Sequence, residues 1–399
     1  MHPTARCPKD STPLHSGLMF DSHFIDLLER SLGKEPASVV LGALEQEPGV
    51  SIRLNPAKLR DCPFVDAVPV EWSPYGYILK ERPSFTTDPL FHAGCYYVQD
   101  SSAMFVGEVF RRVLEGFGPG VQVLDLCAAP GGKTTDLSAS LRERFGDSFR
   151  LLANELVPKR FHILRSNVAV WGDPNTAVVS RDPSTFGDSP LFDIVLADVP
   201  CSGEGMFRKD GEARAQWSLE NVEFCASRQK KILSDIWPVL RPGGILVYST
   251  CTFNHFENDD AGSFIEESLG GERMDIGPVP SSVFRTGYGY AMLPGMVPGE
   301  GQWVAAFRKE GTPDGIPAPD AAKLFRAVFP ASPVPDHPHV DVDLRTALAY
   351  LHGEALRLKD APIGLVNICY EGQVLGQAKN IGSRCNNLYP KDRRIRMDV

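Results

Sequence analysis

The 399-residue sequence contains no run approaching the roughly 18–20 uninterrupted apolar residues that a membrane span requires. Its opening stretch, residues 1–17, has no apolar core of the kind a secretory leader needs, so none is expected. None of the nine cysteines forms a Cys-x-x-Cys pair and their spacing is irregular, which argues against a zinc ribbon or a disulfide framework and fits a reducing cytoplasm. A Walker-type phosphate loop is missing: counting back from Gly132-Lys133-Thr134 places Cys127 where its first glycine must stand. Residues 127–133 do not supply Gly-x-Gly-x-x-Gly either. A zinc deaminase signature fails at position 204, a glutamate where a second cysteine is needed. Positive charge is in deficit, 41 Lys+Arg against 50 Asp+Glu, for a net charge of −9. As an average, that balance argues against a chain that coats nucleic acid.

What is present is an ordinary globular composition, 43% apolar and 23% charged, long enough for two or three domains. From Phe20 to Gly33 apolar residues recur at helical spacing, and a second short helix closes near Leu41–Leu44. Tyr96–Glu108 reads as strand, cap and helix, with Ser101 or Ser102 as the N-cap. Beyond residue 120 strands and helices alternate. Val121–Cys127, Phe149–Glu155, Thr176–Arg181, Phe192–Asp198 and Gly244–Cys251 read as strands. The helix-period segments Gly132–Arg144, Val157–Gly172 and Phe224–Leu240 separate them, and Gln302–Arg308 reads as a final strand. This alternation predicts an α/β fold with a mostly parallel, doubly wound sheet covered on both faces. Two Pro/Gly/Ala stretches, 311–320 and 330–339, flank a short helical segment, Ala321–Phe329. The last block has a helix-like run, Leu344–Leu356, and a hairpin turning at Glu371-Gly372. The expected domains are residues 1–100, 101–310 and 341–399, with a linker over 311–340.

The turn Leu126–Thr134 sits where the first strand hands over to the first helix, which in an open parallel sheet is the ligand crevice. Glu155, Asp182 and Asp198 follow or end the next strands at the same sheet edge. Carboxylates there suit an adenosine-containing ligand, and without a phosphate loop S-adenosylmethionine is the favoured one. Cys201 and Cys251 follow two strands that a doubly wound sheet makes neighbours, so two thiols and the Asp198 carboxylate gather beside the proposed methyl donor. The remaining cysteines, Cys7, Cys62, Cys95, Cys225, Cys369 and Cys385, read as small buried hydrophobes, and Cys127 as a lining of the turn. A thiolate, a carboxylate and a sulfonium methyl together suit methylation of a pyrimidine at carbon 5. Thiolate addition at carbon 6 makes carbon 5 nucleophilic, and a carboxyl group at ring N3 stabilises the developing charge.

The motifs DLCAAPGGKT (125–134), DVPCSGEGMFRKD (198–210) and YSTCTFNHFEN (248–258), with SIRLNP (51–56) and YYVQDSSAM (96–104), resemble the Sun-type (NOL/NOP/Sun) RNA cytosine-C5 methyltransferases, notably the bacterial RsmF-type 16S rRNA enzymes. The resemblance implies a Rossmann-like methyltransferase sheet, an N-terminal α+β RNA-binding region and a C-terminal PUA-like α+β domain. It implies that Cys251 is the nucleophile, that Cys201 assists product release, and that Asp198 and Lys133 lie at the chemistry. It further implies methyl-donor contacts from Cys127, Ala128, Ala129, Pro130, Gly131, Gly132, Lys133, Glu155, Asp182 and Asp198. His255 and the Asp259-Asp260 pair depart from the family pattern. The implied partner is rRNA, in the small ribosomal subunit or its precursor. A cytoplasmic monomer without membrane contact is expected. Lys379, Arg384, Lys391, Arg393, Arg394 and Arg396 form a local basic run around Tyr389 and are candidates for RNA contact. Two other readings are a DNA cytosine-C5 methyltransferase using Cys201, and a non-catalytic ribosome-assembly factor.

Overall fold

The computed structural model describes residues 20–187, 191–312, 319–330, 337–358 and 360–396. Cys7 and parts of both Pro/Gly/Ala stretches, 313–318 and 331–336, lie outside these residues.

Helices α1 (Ser22–Leu32) and α2 (Lys34–Leu44) open the fold, as the spacing predicts. Asp21 caps α1 by accepting the His23 N–H at 2.7 Å. Gly33, at φ 86°, ends α1 and starts α2 in a conformation that glycine adopts without strain. Phe24, Leu27 and Leu28 are buried, and Phe24 packs against Phe207 and Trp217, whose ring centroids lie 5.2 and 5.4 Å away. These helices therefore share the core of the central sheet. A small antiparallel sheet follows, made of β1 (Val50–Leu54), β2 (Val68–Pro69), β3 (Gly76–Leu79) and β4 (Tyr96–Val98), in the order β2-β3-β1-β4. The short α3 (Pro89–His92) precedes β4.

Helix α4 (Met104–Leu114) leads into the central sheet. Neither expected serine caps it. The helix is preceded by Ala103, already helical, because the Ser101 hydroxyl is recruited by Pro298 O at 2.6 Å and the Ser102 hydroxyl by Gly301 N–H at 3.3 Å. Asp100 takes over, accepting Ser102 N–H at 3.0 Å. Strands β5 (Val121–Asp125), β6 (Phe149–Asn154), β7 (Thr176–Val179), β8 (Phe192–Asp198) and β9 (Leu240–Thr250) are mutually parallel. Helices α5 (Gly132–Phe145), α6 (Pro158–Trp171), α7 (Gly211–Ala215) and α8 (Leu219–Ile236) connect them. After α9 (Asp259–Leu269), the short strands β10 (Gly271–Arg273), β11 (Phe284–Arg285) and β12 (Tyr290–Met292) precede β13 (Gln302–Lys309), which pairs antiparallel with β9. The order is β11-β12-β13-β9-β8-β5-β6-β7, with β10 beside β13. Along β8, Ile194 and Leu196 enter one apolar core while Val195 and Ala197 enter the other, so both faces are covered.

The segment after β13 is shorter in helix than its spacing predicts. Only α10 (Ala321–Leu324) forms; Arg326 adopts a positive φ, and Val328 pairs with Val178 of β7, exchanging N–H···O bonds of 2.8 and 2.9 Å. The last block holds β14 (His339–Asp341), α11 (Leu344–His352), β15 (Gly364–Tyr370), β16 (Gln373–Asn380) and β17 (Cys385–Asn387), with sheet order β14-β15-β16-β17. Gly353, at φ 92°, stops α11 before the expected Leu356. The β15–β16 hairpin turns at Glu371 and Gly372, both at positive φ, as a two-residue turn requires. No helix among the described residues is long and apolar enough to cross a membrane.

Candidate functional site

The carboxyl ends of β5, β6, β8 and β9 converge on one edge. Pairing of β8 with β9 in register, Asp198 opposite Ser249, delivers the loops bearing Cys201 and Cys251 side by side. Their sulfurs are 3.2 Å apart and the thiols are in hydrogen-bonding contact, with no disulfide. The Cys201 thiol is held well above its ordinary range, first by its hydrogen bond to Cys251, then by burial and by the charge on Cys251. Asp198, the last residue of β8, accepts from Lys133 Nζ at 2.9 Å, Ser249 Oγ at 2.7 Å and Gln302 Nε2 at 3.2 Å. Burial works to lower the Lys133 pKa, but Asp198 and Cys251 outweigh it and the net direction is upward.

The two cysteine loops are fixed from beneath by buried carboxylates that sequence reasoning missed. Glu257 accepts from Ser202 N at 3.0 Å, Gln229 Nε2 at 2.7 Å and Asn254 Nδ2 at 2.9 Å. Glu204 accepts from Phe253 N at 2.6 Å, Asn254 Nδ2 at 2.9 Å and Trp217 Nε1 at 3.1 Å. Burial pushes the Glu257 carboxyl upward against the donors that lower it. Glu204 lies in the 201 loop and Glu257 in the 251 loop, so Asn254 between them locks one loop to the other. Gly205 donates to Cys251 O at 2.8 Å, an approach that a side chain at 205 would block.

The 126–133 turn is held by its carbonyls. Asn154 Nδ2 donates to Leu126 O at 3.0 Å, Arg160 to Ala129 O at 2.6 Å, and Asn167 to Pro130 O at 2.8 Å. Tyr97 Oη donates to Pro130 O at 3.2 Å, and Arg53 Nη2 to Gly132 O at 3.1 Å. With these carbonyls tied back, the turn and the first N–H groups of α5, which a helix leaves without internal acceptors, form the floor of the crevice. Gly131, at φ 111°, makes the sharp entry into α5 that a side chain would strain, and the Ala129–Pro130 peptide is cis. Arg53 and Tyr97 come from the small N-terminal sheet, so that sheet is part of the site's scaffold. Arg53 is wholly buried, bonded also to Gln99 Oε1 at 2.7 Å and Thr135 Oγ1 at 2.6 Å, and lies over Trp171 at 4.7 Å.

Beside the turn opens a cavity of about 250 Å³ bordered by Cys127, Glu155, Asp182, Pro200 and Arg228 among others. Glu155 is buried; its Oε1 accepts Val157 N–H at 2.9 Å, while its Oε2 lies 3.5 Å from Arg160 Nη1 in an ion pair and accepts no hydrogen bond. Asp182 is exposed and caps its own turn through Ser184, which holds its carboxyl below the usual range. Asp125, at the end of β5, is a further missed residue: burial raises its pKa to about 7 despite the Thr134 hydroxyl donating at 2.6 Å. Burial likewise pushes the Cys127 thiol up. Cys95, Cys225, Cys369 and Cys385 are buried, whereas Cys62 is only partly so.

The C-terminal basic run divides. Lys379, Arg384, Lys391 and Arg396 are exposed. Arg393 instead donates to Ser166 of α6 at 3.0 Å, Arg394 packs its guanidinium against Gly353, and Tyr389 is buried against Tyr350. These three hold the C-terminal unit together and onto its neighbour, while the other four basic residues face outward.

The central sheet, residues 118–308, matches the family model of 16S rRNA methyltransferase RsmB/F. Residues 20–101 match the N-terminal domain of 16S rRNA methyltransferase RsmF, and residues 337–395 the methyltransferase RsmF PUA domain. The ribosomal RNA small subunit methyltransferase F of Escherichia coli strain K12 is 33% identical over 316 residues, 74% of this chain and 64% of that protein. Its counterpart from Salmonella paratyphi A is 34% identical over 289 residues, 67% of this chain and 59% of that one. The chain thus spans less than two thirds of the length of these relatives. Among solved structures, a methyltransferase homolog protein from Pyrococcus horikoshii superposes with a TM-score of 0.61 at 25% identity, covering 73% of this chain and 95% of its own. NSun6 from the same organism, solved with SFG, gives a TM-score of 0.58 at 18% identity over 73% and 99% of the two chains, and supports the fold. Three modules of one lineage follow one another in order along the sequence, and the chain belongs to the RsmB/F family of methyltransferases.

Proposed function

We propose that this protein transfers a methyl group from S-adenosylmethionine to carbon 5 of a cytidine in small-subunit rRNA. The observation that carries the reading is the pair of thiols 3.2 Å apart at the ends of adjacent strands, next to the Lys133–Asp198 pair. The residues present suit the donor: Glu155 Oε2 lies buried beside a cavity of fitting chemistry with an ion pair to Arg160 and no hydrogen bond, and the carbonyls of the glycine turn are already engaged behind it. Glu155 and Asp182 would hold the donor's hydroxyl and amino groups, with the 127–133 turn beneath. When bound, S-adenosylmethionine supplies an electrophilic methyl group, its sulfur retaining the bonding pair.

Cys251 Sγ forms the bond to ring carbon 6, and the carbon 5–carbon 6 π pair becomes available at carbon 5. Cys201, held protonated by its neighbour, donates to the Cys251 sulfur and favours the charge residing there. Asp198 accepts from the exocyclic amine and from N3 once that nitrogen has taken a proton from solvent, and Lys133 stays paired with Asp198 at 2.9 Å. Once Cys251 is bound to carbon, the charge and hydrogen bond that kept Cys201 protonated are gone. Cys201 then gives its proton to solvent and takes the carbon-5 proton; as the carbon 5–carbon 6 double bond re-forms, the Cys251–carbon 6 bond breaks with its pair returning to sulfur and N3 releases its proton to solvent. The target cytidine must leave its stack to reach this edge.

The test is a pair of substitutions assayed on rRNA with labelled donor. Cys251→Ala is expected to give no methyl transfer and no protein–RNA adduct, and Cys201→Ala to trap a covalent adduct resistant to denaturant. An adduct formed by Cys251→Ala through Cys201 would reverse the roles, and transfer to duplex DNA but not to rRNA would overturn the substrate. Failure of wild-type protein to bind the donor would reinstate a non-catalytic role.

A further inference from the structure

A second cleft, of about 390 Å³, opens where the three modules meet; no residue of the cysteine loops lines it, and its Tyr97 and Asn167 also hold Pro130 O of the glycine turn from behind. The loop and strand around α3 and β4 supply Phe91, His92 and Tyr97; the far half of α6 supplies Asn167 and Val170; the C-terminal block supplies Tyr389, Asp392 and Arg393. Its size lies within the roughly 300–1,000 Å³ range of ligand pockets. Its lining includes the rings of Phe91, His92, Tyr97 and Tyr389, with a carboxylate and a guanidinium, Asp392 and Arg393, in sequence on one turn, Lys391–Arg393. His92 is tied down by Thr86 O at 2.8 Å, and burial keeps its ring toward the neutral form against the Thr86 carbonyl and Asp88. Flat rings faced by an acceptor and a donor are how proteins take up unpaired nucleobases: the faces stack, and the polar edge is read by carboxylate, amide or guanidinium. A free anion is a poor fit, since Asp392 lines the cleft. The outward cations Lys379, Arg384, Lys391 and Arg396 lie on the same C-terminal block and suit a phosphate backbone running past the cleft.

We infer that this cleft between the three modules is a nucleobase pocket that captures one unpaired nucleotide of the substrate RNA outside the target cytidine. The inference rests on the RNA substrate proposed above and adds a site where sequence or loop shape is read apart from the reaction. It also gives the C-terminal module a positional role, because Arg393 both lines the cleft and ties that module to Ser166 of α6. A base seated there would contact all three modules at once and fix the RNA relative to the cysteine edge.

The probe is a 12-nucleotide single-stranded RNA with a central cytidine and one 4-thiouridine placed in turn at each other position. On ultraviolet irradiation with the wild-type full chain, at least one position should crosslink to peptides containing residues 91–98 or 166–171. Val170→Phe, which fills the cleft and leaves the glycine turn untouched, should weaken binding of the same RNA about tenfold, the value of a lost base stack. Its affinity for S-adenosylhomocysteine should stay within about twofold of wild type. Crosslinks confined to residues 198–257, or RNA affinity unchanged in a folded Val170→Phe protein, overturn the pocket. Crosslinking at the cleft without methyl transfer by the wild type would instead refute the proposed reaction and leave the pocket standing. Methyl transfer with no crosslink at the cleft would do the reverse.

Discussion

Replacing Arg53 by methionine tests whether the N-terminal sheet is structurally part of the methyl-donor site. The guanidinium donates to Gln99 Oε1, Gly132 O and Thr135 Oγ1, lies 3.7 Å from the buried Asp136 and covers Trp171. Each bond to a charged donor contributes about 1.5–3 kcal/mol, and removing one partner of a buried ion pair costs about 3–5 kcal/mol. Two features place the loss at the lower end. Asp136 keeps Arg111 at 3.3 Å, and Gly132 O keeps the Thr135 hydroxyl at 2.9 Å. Methionine also retains the contact with Trp171. The expected destabilisation is therefore about 3 kcal/mol, read from the urea midpoint. Arg53→Lys keeps charge near Asp136 but not the fork, and should recover about half of that loss. Because Gly132 opens α5, calorimetric affinity for S-adenosylhomocysteine should fall about tenfold in Arg53→Met. A variant with wild-type urea midpoint and wild-type affinity would refute the scaffold role, and loss of stability with unchanged affinity would confine Arg53 to folding.

Other substitutions probe the same edge. Asp125, with its pKa raised to about 7, binds its proton more tightly folded than unfolded, so its stabilising contribution is complete below the ordinary carboxyl range and is lost as pH rises through 7. Asp125→Asn should therefore gain stability relative to wild type between pH 4 and 7, and a pH-independent difference would contradict this. Gly205→Ala places a carbon 2.9 Å from Cys251 O and 3.0 Å from Glu300 O, displacing the cysteine loop; turnover should drop about a hundredfold with donor affinity preserved. Glu257→Gln puts an amide donor among three donors and should cost about 2 kcal/mol while slowing adduct formation, and wild-type adduct kinetics would show that the loops are held otherwise.

Features carried by local pattern were legible in the sequence. Phe192–Asp198 was bounded correctly because a continuous apolar run ending in an acidic residue has one reading in a covered parallel sheet. The adjacency of Cys201 and Cys251 followed from the topology of such sheets. What stayed hidden depends on pairing across long stretches of chain. Nothing near Arg53 announces that it reaches Gly132, and nothing local to Glu204 or Glu257 shows that folding buries them together. Charge counts along a chain likewise do not distinguish an outward Lys391 from an Arg394 wedged against Gly353. Helix ends failed where tertiary contacts outbid local caps, as with Ser101 and Pro298.

The pairing of Val328 with Val178 has a consequence for how these molecules coexist at high concentration. The outermost strand β7 would otherwise present unpaired backbone groups at the rim of the central sheet, a template for accretion of another chain. Here the polypeptide returns from β13 and covers part of that rim with its own backbone, while the opposite rim ends in β11, only two residues long. Neither border offers a long, straight row of free donors and acceptors. Cutting the return segment near residue 328 would expose β7, and the sheet would lose its protection against edge-to-edge stacking without losing any residue of the cysteine edge.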